Sequence, residues 1–147
     1  MTQNQIVGTW RLVSFESRDA DGQISYPYGA DAIGYLIYTS EGYMSASVMS
    51  ANRPKFAAGD ILGGTTEEQA MAARTYTNYC GKYDIEANKV IHHVETCLFP
   101  NYVGLNLERF FEFMGNNRLS LSTAPFLLDG KQQTCHVIWE RVGTNKG

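Results

Sequence analysis

Apolar and polar positions along the chain alternate mostly with a period of two, the spacing of strands whose two faces meet different surroundings. Gly8 to Ser17 reads this way, and Ile33 to Thr39 follows after a loop punctuated by Asp21-Gly22, Pro27 and Gly29. Ser40-Glu41-Gly42 then forms a tight turn into Tyr43 to Met49, a hairpin by its spacing and its glycine. Asn52 to Gly64 is rich in Gly, Pro and Ala and reads as loop. Thr65 with Glu68, or Thr66 with Gln69, offers a capping box, so one short helix is predicted to start there and run to about Asn78. Strands follow at Tyr79 to Ile85, Lys89 to Leu98, Leu105 to Phe113, Arg118 to Thr123 and Gln133 to Val142. The breaks between them, such as Glu86-Ala87-Asn88, Gly115-Asn116-Asn117 and Asp129-Gly130, are of hairpin length.

The sum is an all-β chain of eight strands with the helix inserted between the third and fourth. Of the two arrangements open to it, a sandwich or a closed up-and-down barrel, only closure removes both sheet edges. An eight-stranded antiparallel barrel is therefore predicted, with the Thr66 to Asn78 helix and the Asn52 to Gly64 loop partly covering its mouth. Its interior is just wide enough to be filled by side chains or to hold one small ligand.

Splitting each strand into its two faces gives the inward set. Leu105, Leu107, Arg109, Phe111 and Phe113 share one face, which turns Arg109 inward. A guanidinium keeps its charge, so burying it calls for a carboxylate, tyrosine oxygens, trapped water or an anionic ligand. Tyr79 and Tyr83 fall on one face with Gly81 between them. Val90, His92, Val94, Thr96 and Leu98 oppose Ile91, His93, Glu95 and Cys97, and the acid on the second face tips His92 inward rather than His93. Cys135, Val137, Trp139 and Arg141 share a face, which puts Trp139 in the lumen and His136 outside it. In the hairpin both faces are mixed, and either Tyr38 or Tyr35 is the inward one.

Composition narrows the choices. The 147 residues carry 12 Lys+Arg against 15 Asp+Glu, a net charge of −3, and the cations are scattered, which disfavours nucleic acid as a partner. No apolar run is long enough to span a membrane, and Met1 to Gln5 has neither a basic nor an apolar leader segment, so a cytoplasmic chain is expected. Length argues for one domain over residues 1–147. The 3 cysteines form no C-x-x-C and read as free thiols, while aromatics reach 12%, with 9 Tyr suited to a wet cavity wall. No cofactor motif is found.

Several chemistries fail on spacing. His92 and His93 point to opposite faces and cannot grip one ion, so no metal is expected. His93, Glu95 and Cys97 share a face but stand at least about 6.6 Å apart along it, too far to act as a nucleophile with its base. Gly59 to Gly64 lacks the Gly-Lys-Ser/Thr of a phosphate loop and reads as a flexible lid. What remains is a lumen of Arg109, His92, Tyr79 and Tyr83 among apolar and aromatic walls, the usual make-up of a small-molecule site.

Gly8-Thr9-Trp10 on the first strand and Trp139-Glu140-Arg141 on the last together resemble the lipocalin signature, in which a G-x-W tryptophan packs against an arginine of the closing strand. Ile6 to Glu16, Pro27 to Ala46, Val90 to Gly104 and Trp139 to Val142 resemble, in order, segments of the small bacterial and fungal lipocalin-like domain family. The resemblance implies a calycin-type barrel and a hydrophobic small molecule. Barrels of related shape include cofactor-free cyclases and isomerases of natural-product pathways.

The leading expectation is binding of one small hydrophobic molecule, aromatic or carbonyl-bearing, by Arg109, His92, Tyr79, Tyr83, Tyr38, Phe111 and Trp139. The alternative is a cyclase or isomerase in the same lumen, with His92 or Tyr83 as general acid/base and Arg109 stabilising an enolate. A filled barrel with a structural or homodimerising role is the third reading.

Overall fold

The computed structural model describes residues 5–143; the leader reading of Met1 to Asn4 lies outside them. Among the described residues the elements are β1 (Gly8–Asp19), β2 (Ile24–Ser25), β3 (Ile33–Tyr38), β4 (Tyr43–Met49), the helix α1 (Thr66–Arg74), β5 (Tyr76–Glu86), β6 (Lys89–Cys97), β7 (Asn106–Met114), β8 (Arg118–Ser122), β9 (Phe126–Leu128) and β10 (Lys131–Arg141). Eight of them run β1-β3-β4-β5-β6-β7-β8-β10, and β10 pairs antiparallel with β1 from Trp10↔Arg141 to Asp19↔Gln133. The sheet is therefore a closed eight-stranded barrel. The short strands β2 and β9, read as loop from the sequence, extend its rim by pairing with the ends of β1 and β10. Asp129-Gly130 is a two-residue hairpin with both residues at positive φ, 52° and 80°, the backbone that an Asp-Gly pair adopts most readily.

Two bulges change which residues face inward. In β1 the register slips between Leu12 and Ser14, so Trp10 and Leu12 point in on one side of Val13 and Phe15 and Ser17 on the other. In β6 the slip lies opposite Cys80 and Gly81, which turns Thr96 outward to Cys80 and sets Cys97 against Tyr79. This corrects the strict alternation that grouped Thr96 with His92. Gly81 is required there, because a β-carbon on it would stand 1.9 Å from the His93 carbonyl oxygen.

One end of the barrel is sealed. Trp10 is fully buried and its indole donates to the Ile6 carbonyl at 3.0 Å, while the Arg141 guanidinium lies over the Trp10 ring, 4.1 Å from its centroid. Arg141 also donates to the carbonyls of Val7 and Gln5. Gly8, at φ +140°, leaves the space this needs: a β-carbon would come within 2.8 Å of Arg141 Nη1. Ile6, Leu36, Tyr38, Met44, Tyr83, Val90 and Leu119 complete the packed core.

The other end is covered differently from the sequence expectation. α1 begins with the Thr65/Glu68 capping box but stops at Arg74, because Tyr76 to Asn78 pair with Met49 to Ser47 and extend β5. The loop after β4 is tied to the helix, Arg53 donating to the Ala72 carbonyl and the Thr75 hydroxyl and Glu68 accepting from the Ala57 amide. None of residues 52–64 lines the barrel cavity. The helix reaches the cavity through Ala73, and the rest of the mouth is framed by Pro27-Tyr28, by the turn Leu98 to Tyr102 and by the β9 hairpin. Among the described residues, no helix is long and apolar enough to cross a membrane.

Arg141→Met removes a cation–π contact and two charged donors to backbone, and is expected to lower the unfolding free energy by about 2 kcal/mol. Arg11→Met, which removes an exposed cation 6.0 Å from the Tyr35 ring, is expected to change stability by less than about 0.5 kcal/mol. Urea denaturation of both variants checks the contrast; equal midpoints would contradict the seal.

Candidate functional site

The barrel is hollow toward its mouth. A cavity of about 620 Å³ opens there, within the range of small-molecule sites, so the interior is not the filled one of the third sequence reading. Its walls are Phe15, Leu36, Ala46, Val48, Leu121, Val137 and Trp139, with Tyr79, His92, Arg109, Thr77, Asn78 and Thr123 among its polar groups. Cys135 lies on the same wall, and burial pushes its thiol up to about 11, so it stays protonated.

His92 is 1% exposed and held on both sides by phenols: Tyr38 Oη stands 2.6 Å from Nε2 and Tyr79 Oη 2.8 Å from Nδ1. Burial, the Arg109 charge and His93 push its pKa down to about 3, so the ring is neutral. A neutral imidazole has one N–H and one lone pair, so the two phenols play opposite roles. Tyr38 is 1% exposed and has the imidazole as its hydrogen-bond partner, so its hydroxyl donates to Nε2; otherwise its own proton would be buried without an acceptor. Nδ1 then carries the hydrogen and donates to Tyr79. The Tyr79 hydroxyl proton is left to point elsewhere, and Tyr79 lines the cavity. Burial raises the Tyr79 pKa, against the pull of the neighbouring Arg109 guanidinium, so it too remains protonated.

Arg109 enters from β7, where Leu107, Arg109, Phe111 and Phe113 are half-buried and their neighbours exposed. Its guanidinium donates to the Glu108 carbonyl at 3.1 Å and lies within hydrogen-bonding reach of the Tyr79 hydroxyl oxygen, and among the described residues no carboxylate pairs with it. The one acidic residue on the cavity wall, Asp129, belongs to the β9–β10 turn at the mouth.

Not every residue singled out from the sequence reaches the cavity. Tyr83 packs edge-on against Tyr38 with centroids 4.8 Å apart and donates to the Thr39 carbonyl, in the core of the sealed end. Tyr38 and Phe111 likewise lie behind the cavity wall, Phe111 against Phe113. Tyr35 is on the outer surface. Trp139 is 3% exposed and lines the cavity, and its Nε1 is the one buried side-chain nitrogen or oxygen among the described residues with no hydrogen-bond partner. His93 is outside, bridging Asp84 and Asn106 at 2.7 Å each. Phe15 and Tyr28, which meet edge-to-face at 5.2 Å, are cavity residues that alternation missed: a bulge brings in the first and a loop the second.

A closed barrel with a tryptophan–arginine seal at one end and an aromatic hollow at the other is a lipocalin-type fold. The chain belongs to the lipocalin-like domain family, whose profile matches residues 7–142. Over 108 residues it is 33% identical to the 4'-hydroxy-3'-methoxypropiophenone carrier protein ppsC of Aspergillus oryzae (strain ATCC 42149 / RIB 40), which covers 67% of this chain and 96% of that protein.

Because His92 is neutral in the folded barrel and protonates readily once unfolded, its contribution to stability is complete above about pH 6.5 and lost as pH falls toward about 3. Histidine NMR is expected to show His93, whose pKa is raised by its hydrogen bonds to Asn106 and Asp84, titrating above the ordinary histidine value, while the His92 ring stays neutral with its hydrogen on Nδ1. Wild-type stability should drop by up to about 1.4 kcal/mol per pH unit more steeply than that of His92→Gln over that acid range. A His92 ring that titrates near 6.5 would contradict the assignment.

Proposed function

We propose that this protein binds a single small hydrophobic molecule, aromatic or carbonyl-bearing, inside the barrel, with Arg109 meeting its oxygen and Tyr79 and Trp139 lining the rest of its seat. The observation that carries this reading is the Arg109 guanidinium, which has no carboxylate partner among the described residues yet lines a cavity of about 620 Å³ with predominantly apolar walls. A flat aromatic molecule would pack against these apolar walls. Similarity to the Aspergillus relative, named as a carrier of an aryl ketone, supports the same class of ligand. The three unpaired cysteines suit a reducing compartment, so we place the protein in the cytoplasm.

A cyclase or isomerase in the same lumen draws less support. An acid/base histidine needs a nitrogen free to meet the substrate, and both nitrogens of His92 are engaged by phenols. Tyr83, the other candidate, has its hydroxyl on the Thr39 carbonyl and lies behind the wall.

Calorimetric titration with 4'-hydroxy-3'-methoxypropiophenone and simpler aryl ketones tests the binding reading. Arg109→Ala is expected to weaken affinity about 10- to 100-fold, the value of a charge-assisted hydrogen bond. Ala46→Trp, which fills the cavity from β4, is expected to abolish binding while the barrel stays folded by circular dichroism. Undiminished binding by Ala46→Trp would place the ligand elsewhere.

A further inference from the structure

The hydrogen-bonding groups of the cavity interior are unbalanced. Arg109 offers N–H groups beyond the one spent on the Glu108 carbonyl. Tyr79 has a hydroxyl proton directed away from His92, since it accepts from Nδ1. The indole N–H of Trp139 is buried without a partner. Cys135 adds a protonated thiol, a weak donor. On the accepting side, both nitrogens of His92 are already engaged, and Asp129 is out at the rim. Hydroxyl and amide oxygens of Thr77, Asn78 and Thr123 also line the cavity and can accept, but the interior carries one full positive charge and, away from the rim, no carboxylate to balance it.

We propose, resting on the ligand-binding reading above, that the polar end of the ligand is an ionised oxygen, a phenolate or enolate, seated against Arg109 and the hydroxyl of Tyr79, with Trp139 as a further donor. A neutral carbonyl would accept from the same groups but leave the guanidinium charge uncompensated in an apolar hollow. An oxyanion answers both the charge and the donor surplus. A neutral phenol, like a neutral carbonyl, leaves that charge unbalanced. The ligand class that follows is an aromatic with an acidic hydroxyl, taken up from water with loss of its proton to solvent.

The test uses 4-nitrophenol, whose visible absorbance reports its own ionisation, and nitrobenzene, the matched ring without the hydroxyl. Bound to the wild-type protein, 4-nitrophenol is expected to ionise at least about one pH unit lower than in buffer, a tenfold preference for the phenolate. Arg109→Met keeps an unbranched apolar chain on the wall; it should abolish that shift and still bind nitrobenzene. Trp139→Phe is expected to reduce the shift in part, and gives a second variant if Arg109→Met does not fold. Nitrobenzene binding together with an unshifted or raised ionisation of bound 4-nitrophenol would overturn this proposal and leave the general binding reading standing. Failure of both probes to bind would overturn both.

Discussion

Pairing of β1 with β10 is the constraint from which the rest of the molecule follows. It converts an open sheet into a ring with no unpaired edge, so every strand must divide its side chains between solvent and a single enclosed interior. The seam depends on the Trp10–Arg141 stack, which also ties the first residues of the chain to the last strand through the Val7 and Gln5 carbonyls. One end of the tube is spent on this closure and is packed solid. The hollow is consequently displaced to the other end, where the frame is made of loops and a short hairpin.

Within that hollow the polar groups form a graded arrangement. Deepest is Tyr38, which fixes the His92 tautomer; next is His92, whose neutrality follows from burial and from the nearby guanidinium; at the wall are Tyr79 and Arg109. Each group determines the hydrogen-bonding role of the next, so the outer surface of the network shows donors only. A buried network of this kind is stable only when all its members are satisfied, and the groups left over are those that face the cavity. Trp139 extends the same pattern on the opposite wall.

Much of this was legible in the sequence, and the failures have physical causes. Alternation is a reliable guide where strands are regular, and β7 shows the inward set of Leu107, Arg109, Phe111 and Phe113 without interruption. It fails at bulges, which insert one residue and exchange the faces beyond it; Phe15 entered the cavity and Thr96 left it for this reason. The end of α1 was misplaced because Tyr76 to Asn78 gain a ladder against β4, a long-range pairing that local propensity does not contain. Depth along the barrel axis was also invisible. Tyr83 and Tyr38 share the inward face with Tyr79, but only Tyr79 lies far enough toward the mouth to meet the cavity. Of the two segments expected at the mouth, the helix supplies Ala73 to the cavity wall, whereas hydrogen bonds through Arg53 and Glu68 hold the glycine-rich loop to the helix and away from the cavity.

The account stands on an occupied interior in which Arg109 meets the oxygen of a guest. Native mass spectrometry of the protein isolated gently from its own host measures this most directly. One low-mass organic molecule per chain, released on denaturation and missing from the Arg109→Ala protein, is the result the account predicts. A bare polypeptide mass that persists after incubation with aromatic hydroxy ketones would contradict it.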